Sequence, residues 1–189
     1  MAKRLLTFAW LVLLGALAAG QAPVVVIHLD DTIQPVSAEY VQRGLVYAAQ
    51  QHAAAVILEL DTPGGLDTSM RAIIQAIFAS PVPVVGYVAP SGARAASAGF
   101  YILLSCDVAA MAPGTNTGAA HPVVLGGAQP DKIEAAKIQS DASAFIRTIA
   151  NRRHRNVDLA EKGVLESQSF TEQEALQGGL IDLTAPTLS

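Results

Sequence analysis

A serine between a predicted strand and a predicted helix is the side chain of this sequence best placed to act as a nucleophile. Ser97 lies in the small-residue segment PSGARAASAG, at positions 90–99. Small neighbours let a substrate backbone approach, and the N-terminus of the following helix offers unpaired N–H groups and the positive end of its dipole. The N–H of Ala98 is therefore a candidate donor to a developing oxyanion. The alternative is that Ser97 only caps the helix, which is a common role of serine.

A second turn, DTPGG at positions 61–65, follows another apolar run. Its consecutive glycines, Gly64 and Gly65, permit positive φ angles and a close approach of the backbone to a bound peptide. The N–H of Gly65 is a candidate second oxyanion donor, and Gly64 is a candidate substrate contact. Pro-Gly-Gly is also an ordinary turn sequence, so this motif predicts a site only together with the first one.

A serine nucleophile needs a base to take its proton, and the sequence offers two candidates. Lys137 lies in the mild stretch IEAAKI of a predicted long helix, where an ordinary exposed lysine is the alternative interpretation. His121 is the histidine that falls in a loop after a predicted strand. A solvated lysine has a pKa of about 10.4. The role of base would therefore require a dry, apolar setting for Lys137, sealed when substrate or a partner subunit covers it.

These loops need a fold that brings the ends of strands together. Apolar, β-branched runs alternate with helical patterns, which predicts a single-domain α/β fold with a largely parallel sheet flanked by helices. The predicted strands are Val24–Leu29, Ala54–Leu60, Val82–Val88, Asp107–Met111 and Leu180–Leu183. The predicted helices are Ala38–His52 with Ser37 as its cap, Asp67–Ala79, Ser97–Leu104, Asp131–His154 and a short one opened by a capping box at Thr171–Glu174. Since ligands bind at the carboxyl ends of such strands, we expect the loops 61–65, 89–97 and 113–121 to form a site.

The composition excludes several classes of protein. Of 189 residues, 51% are hydrophobic and 15% are charged, and the formal net charge is −4. This combination excludes a disordered chain, and without a basic excess we expect no nucleic-acid partner. The single cysteine, Cys106, excludes a disulfide framework and a cysteine-rich zinc site, and is expected to be a small core residue. The sequence gives no sign of a metal or an organic cofactor.

The first twenty residues have the layout of a secretory signal peptide. Lys3 and Arg4 precede an apolar run from Leu5 to Ala19, and the small residues within 16–18 fit a cleavage site. We therefore expect an exported, extracytoplasmic protein, either periplasmic or at the cell surface. If residues 1–20 are not cleaved, they form an N-terminal anchor and the protein is membrane-associated. The folded domain is then expected over residues 23–185.

Taken together, these motifs resemble the NfeD/ClpP-class membrane-bound serine proteases, which are related to signal peptide peptidase A and to Clp protease. The resemblance runs from about Val24 to Asp182. It includes the two turns above and two later segments, KIQSDASAFIRTIANRRHRN at 137–156 and FTEQEALQGGLID at 170–182. Several motifs in the same order make the resemblance specific.

The resemblance implies a ClpP/crotonase-like fold and a catalytic Ser-Lys dyad. Ser97 takes the role of nucleophile and Lys137 that of general base, while Gly65 and Ala98 match the backbone oxyanion positions. His121 lies in a segment that also resembles the histidine segment of Clp protease. A Ser-His arrangement therefore stays open as the alternative.

The resemblance also implies a serine endopeptidase that hydrolyses apolar segments of membrane-associated proteins. It implies stomatin-like membrane proteins as partners, and homodimers or larger homo-oligomers. Longer members of the family carry membrane spans and a further small domain, so a chain ending at Ser189 is either a short member or a piece of a longer one. Two other classes stay open. A crotonase-like acyl-CoA enzyme would not need Ser97 and is disfavoured by an export signal, and a non-catalytic scaffold would bind apolar peptide segments of a membrane partner without turnover.

Overall fold

The computed structural model describes residues 22–123 and 130–188, so the predicted signal or anchor segment, residues 1–20, lies outside the described residues. The strands are β1 (Val24–Asp30), β2 (Ala55–Asp61), β3 (Val84–Val88), β4 (Arg94–Ala96), β5 (Val108–Met111), β6 (Asn116–Gly118), β7 (Ser169–Thr171) and β8 (Leu183–Thr184). The helices are α1 (Pro35–Gln50), α2 (Asp67–Ala79), α3 (Ala98–Ser105), α4 (Lys132–Arg152), α5 (Val157–Leu165) and α6 (Glu172–Gln177).

Five parallel strands form the central sheet, in the order β1-β2-β3-β5-β8. The predicted α/β fold with a largely parallel sheet and flanking helices is therefore confirmed. Helix α3 is buried along its whole length, as expected for a sequence, AGFYILLS, that is apolar on almost every side. Because α3 is packed in the core, the turn that precedes it is anchored to the centre of the molecule. Cys106, directly after α3, is fully buried, as expected for a core residue.

A second, smaller sheet lies at the carboxyl ends of the central strands. It has the order β4-β6-β7, with β4 and β6 parallel and β6 and β7 antiparallel. Thr62, which follows β2, forms a bridge with Ala95 in β4. The N–H of Gly92 donates to the carbonyl of Gly114 at 3.0 Å. The small sheet thus joins the loops after β2, β3 and β5, which confirms that these three loops meet.

The beginning of α1 differs from the prediction. Ser37 was expected to cap the helix, but α1 begins at Pro35 and its N-cap is Gln34. Proline is favoured in the first turn because it lacks the N–H that would be unpaired there. Ser37 is the third residue of the helix, and its Oγ accepts a hydrogen bond from the N–H of Gln34 at 2.8 Å. The prediction that Ser37 is the N-cap is therefore wrong by one turn.

Other boundaries agree to within a few residues. Helix α2 has the predicted bounds, and the predicted capping box at Thr171 opens α6. The predicted last strand, Leu180–Leu183, is wrong except at its end, because the strand comprises Leu183–Thr184. No helix within the described ranges is both long enough and apolar enough to span a membrane.

Candidate active site

Ser97 occupies a strained position at the turn from β4 into α3. Its φ is 53° and its ψ is −116°, a region that side chains other than glycine rarely adopt. Its N–H donates to the carbonyl of Gly118 at 2.8 Å, which ties the turn to β6. Its hydroxyl makes no capping hydrogen bond to α3. Ser97 thus occupies the N-cap position without the side-chain bond of a capping serine, and its turn has the strand-to-helix geometry that exposes a side chain at its tip.

The glycine turn after β2 lies directly against Ser97. Thr62 is fully buried, donates from its N–H to the carbonyl of Arg94 at 2.7 Å and accepts from the N–H of Ala96 at 3.0 Å. These two bonds hold the turn beside the residues that lead into Ser97. Gly64 has a φ of 110°, and a Cβ added there would lie 2.5 Å from the Cβ of Ser97. The turn can approach the serine this closely only because position 64 is glycine.

Two backbone N–H groups beside Ser97 have no acceptor among the described residues: those of Gly65 and Ala98. Ala98 is the first residue of α3, where a helix provides no acceptor. Gly65 is fixed by its neighbours, since Leu66 donates to the carbonyl of Ile33 at 2.8 Å and Ile33 donates to Gly64 at 2.8 Å. Unpaired, immobile N–H groups next to a serine hydroxyl are the elements of an oxyanion hole.

A cavity of about 470 Å³ lies in front of the serine. Gly65, Ser97 and Ala98 line one side, and Lys137 lines it from α4. Apolar side chains complete much of the lining: Met70, Pro122, Val123 and Ile138. The structure therefore brings the serine, the lysine and both candidate oxyanion donors to one cavity whose lining is largely apolar.

Lys137 lies on the exposed part of α4. The residues of this helix from 132 to 137 are exposed, and Ile138 is the first that is partly buried. The described residues therefore do not by themselves supply the dry setting that a lysine base requires. Within the part of the chain that the structure describes, Lys137 also forms no ion pair.

His121 lies beside this cavity, not in it. Its Nδ1 is 3.1 Å from the carbonyl oxygen of Val164. The imidazole lines a neighbouring cavity of about 310 Å³, which shares Pro122, Val123 and Ile138 with the first one. Among the described residues, the cavity of Ser97 is thus lined by the lysine and not by the histidine.

The cavity also contains an ionic cluster that the motifs do not reveal. Arg71 of α2 donates from Nε to Asp67 at 2.8 Å and from Nη2 to Asp141 of α4. Its guanidinium carbon lies 4.2 Å from the ring centroid of Phe145. Burial acts to lower the pKa of Arg71, but its hydrogen bonds and charge interactions with Asp67 and Asp141 raise it overall. The spacing of Asp67 and Arg71, four residues apart on one helix, is the sequence signal that could have identified part of this cluster.

Tyr101 supports the same corner of the cavity. Its ring stacks on Phe145 with centroids 5.9 Å apart, and its hydroxyl donates to the carbonyl of Ala142 at 3.2 Å. Burial, together with the negative charge of Asp67, raises the pKa of Tyr101 above its usual range, so the phenol stays neutral. Over residues 22–123 and 130–188, no group of three or more His, Cys, Asp or Glu side chains gathers that could hold a metal ion.

Comparison with known proteins places this arrangement in a family. A family model for the N-terminal domain of NfeD1b matches residues 23–188. The chain is 38% identical over 187 residues to the membrane-bound protease PH1510 of Pyrococcus horikoshii, covering 98% of this chain and 42% of the relative. It is 31% identical over 180 residues to the membrane protein NfeD1b of Bacillus subtilis, covering 90% of this chain and 40% of the relative. The chain thus spans about two fifths of the length of these curated relatives.

Solved structures give the same result. A serine-to-alanine variant of the 1510-N membrane-bound stomatin-specific protease superposes with a TM-score of 0.84 at 38% identity, covering 89% of this chain and 82% of that one. A lysine-to-alanine variant of that protease, in complex with a substrate peptide, superposes with a TM-score of 0.82 at 37% identity, covering 89% and 78%. The replaced residues in those variants are of the two types that meet in the cavity described above.

Proposed function

The chain belongs to the family of NfeD1b N-terminal domains, and on that premise we propose that it is a serine endopeptidase with a Ser-Lys dyad. One observation carries the proposal. Ser97, held in a strained turn next to the unpaired N–H groups of Gly65 and Ala98, shares its cavity with Lys137. The similarity to a membrane-bound protease supports the same activity.

Each of the four residues has a definite role in the proposed reaction. Lys137, in its neutral form, takes the proton of the Ser97 hydroxyl as Oγ attacks the carbonyl carbon of the scissile bond. The N–H groups of Gly65 and Ala98 donate to the resulting oxyanion. The lysine ammonium then gives its proton to the departing amine, which leaves an acyl-enzyme. Water, deprotonated by Lys137, hydrolyses the ester and regenerates Ser97.

In the proposed mechanism, water has to be excluded from Lys137, which the described residues of the single chain do not achieve. Lys137 is exposed, so its neutral form needs a cover that excludes water. The apolar lining by Met70, Val123 and Ile138 fits an apolar peptide segment as that cover, and a second subunit of a homodimer or larger homo-oligomer is the other candidate. We therefore propose apolar segments of membrane-associated proteins as substrates. A stomatin-like membrane protein is the proposed partner, because the related 1510-N protease is described as stomatin-specific.

Peptide kinetics test the role of the substrate as a cover. Replacing apolar residues of a cleaved peptide by polar residues of similar size should lower kcat by about tenfold or more, besides raising KM, because the lysine then stays hydrated. Wild-type kcat on the polar peptide, with only KM changed, would contradict this role. Analytical ultracentrifugation at the assay concentration, run alongside, reports whether a second subunit is present.

The proposed location of the enzyme rests on the sequence of the N-terminal segment. We propose that residues 1–20 direct export or remain as an anchor, and that residues 23–185 form the protease domain outside the cytoplasm. The curated relatives are described as membrane-bound or membrane proteins, which agrees with a membrane-associated enzyme. A fusion of residues 1–30 to a reporter active only after export tests this, and a cytoplasmic reporter would contradict it.

A non-catalytic scaffold is the second candidate, and the exposure of Lys137 is the observation that favours it. A scaffold would bind apolar segments in the same cavity without cleaving them. A serine-directed phosphonate separates the two functions, since only an activated serine becomes labelled. We expect a single adduct on Ser97 by mass spectrometry, its loss in Ser97→Ala and its retention in Ser140→Ala, an exposed serine of α4. Peptide binding without any labelling of the wild-type protein would establish the scaffold instead.

A further inference from the structure

Lys137 and Asp141 lie four residues apart on α4, and both line the cavity of Ser97. Side chains with this spacing share a helix face, with Cβ atoms about 5–6 Å apart. A free aspartate at that position would form an ion pair with the lysine ammonium. Such a pair favours the protonated lysine, which cannot take a proton from serine. A lysine base therefore needs this carboxylate to be engaged elsewhere.

Arg71 of α2 forms an ion pair with the carboxylate of Asp141. It donates from Nη2 to Asp141 and from Nε to Asp67, and its guanidinium lies over the ring of Phe145. The Arg71 side chain is 30% exposed, whereas that of Asp141 is 70% exposed. The arginine is thus the fixed member of the pair, and Asp141 is the member whose direction the pair determines. In agreement with this, Lys137 has no ion-pair partner among the described residues.

The other groups around the lysine do not replace Arg71 in this role. From α2 the cavity receives Arg71 and Asp67, which are paired with each other, and from α3 it receives the neutral phenol of Tyr101. The loop before α4 contributes Ala120, Pro122 and Val123, which do not titrate. On α4 itself, Glu134 lies three residues before Lys137 but does not line the cavity, whereas Asp141 does. Asp141 is therefore the carboxylate on which the charge state of the lysine depends, and Arg71 is the cation that takes it.

We propose that Arg71 is a positioning residue that holds Asp141 away from Lys137 and so keeps the lysine available as a base. The inference rests on the proposed Ser-Lys mechanism and adds to it an ion pair between α2 and α4 that controls the charge state of the lysine. The proposed effect acts on the proton affinity of the base, so the pH dependence of the reaction tests it.

The test is the pH profile of kcat/KM on an apolar peptide, measured for a set of variants that show wild-type circular dichroism. In Arg71→Gln the freed Asp141 pairs with the lysine, and the midpoint of the basic rise should move to higher pH by about one unit. At neutral pH, kcat/KM then falls about tenfold. In Arg71→Gln/Asp141→Asn the carboxylate is gone, and the midpoint should return most of the way to the wild-type value. Arg43→Gln, which breaks an exposed Arg–Glu pair on α1, is the matched control and should change nothing.

The outcomes separate this inference from the proposed function. If the wild-type protein cleaves no peptide, or if Lys137→Ala cleaves it normally, the Ser-Lys mechanism itself is wrong. If Lys137→Ala is inactive but Arg71→Gln keeps the wild-type midpoint, only the role of Arg71 is wrong. A uniform loss of rate with an unchanged midpoint, not restored by Asp141→Asn, means that Arg71 merely supports the structure. Should Arg71→Gln fail to fold, Arg71→Met replaces it, because methionine can still cover the ring of Phe145 but carries no charge. A midpoint equal to that of the wild type in this variant would overturn the proposal.

Discussion

The two walls of the cavity are built in different ways. The serine wall, formed by Gly64, Gly65, Ser97 and Ala98, is fixed by backbone hydrogen bonds to the small sheet and by the buried helix α3. The lysine wall, formed by Lys137, Ile138 and Asp141, lies on the exposed beginning of α4 and is tied to α2 through Arg71. An oxyanion hole works only when its donors are held in place before the reaction, whereas a lysine base works only when water is excluded. In the proposed mechanism, the serine wall is thus held in place within one chain, whereas the lysine wall needs a bound substrate or a second subunit to exclude water.

Substitution of a glycine in the serine wall has the largest expected effect. Gly64→Ala places a methyl group 2.5 Å from the Cβ of Ser97, at a φ of 110°. We expect a loss of about 2–4 kcal/mol in the free energy of unfolding and a fall in kcat of at least about 100-fold, measured by chemical denaturation and peptide hydrolysis. Gly92→Ala is the matched control, because its φ is 93° but nothing lies within 4 Å of the added atom. Equal effects of the two substitutions would contradict the close approach of the turn to Ser97.

Removal of the helix cap of α4 should lower the local stability of the lysine wall much more than the global stability of the molecule. The Asp131 side chain accepts from the N–H groups of Ile133 and Glu134, both at 2.8 Å. Asp131→Ala should weaken the first turns of α4 by about 1 kcal/mol. Because these turns are exposed, we expect faster hydrogen exchange at residues 132–138 and a change below about 0.5 kcal/mol in global stability.

Asn156 caps α5, which buries Ala160, Gly163 and Val164, and is the matched comparison. Its Oδ1 accepts from Leu159 at 3.0 Å and its Nδ2 donates to the carbonyl of Gly178 at 2.9 Å. Asn156→Ala should lower the global free energy of unfolding by about 1–2 kcal/mol. If Asp131→Ala lowered global stability by the same amount, the lysine wall would not be the separate, open element described here.

Alkylation of the thiol at the C-terminal end of α3 should show the smallest effect. Cys106 is fully buried, and burial raises the pKa of its thiol to about 12. Since only the thiolate is nucleophilic, we expect no alkylation by iodoacetamide at pH 8 in the native protein and complete alkylation in denaturant, as followed by mass spectrometry. Labelling of the native protein within minutes would mean that α3, and with it the serine wall, opens.

The sequence predicts the candidate residues of the serine wall and Lys137 of the lysine wall, but not the contacts that hold either wall in place. Helix α2 is amphipathic with clear boundaries, so its bounds agree with the pattern. The strands of the small sheet have three residues each, too few for any periodicity to appear. The positive φ of Ser97 depends on its bond to Gly118, twenty-one positions later, which no local pattern contains. Arg71 and Asp141 are 70 residues apart, so their contact required the fold, although the spacing of Lys137 and Asp141 on one helix face was visible.

The Ser-Lys dyad is tested most directly by the rate of peptide hydrolysis in three variants, each of which lacks a candidate base or a control side chain. Lys137→Ala should lower kcat by about 10²–10⁴-fold, the usual contribution of a general base. Lys132→Ala, in the first turn of the same helix and in its exposed part, should keep the wild-type rate. His121→Ala, whose imidazole lines the neighbouring cavity, should lower the rate by less than about tenfold. Full activity in Lys137→Ala together with loss of activity in His121→Ala would contradict the Ser-Lys dyad.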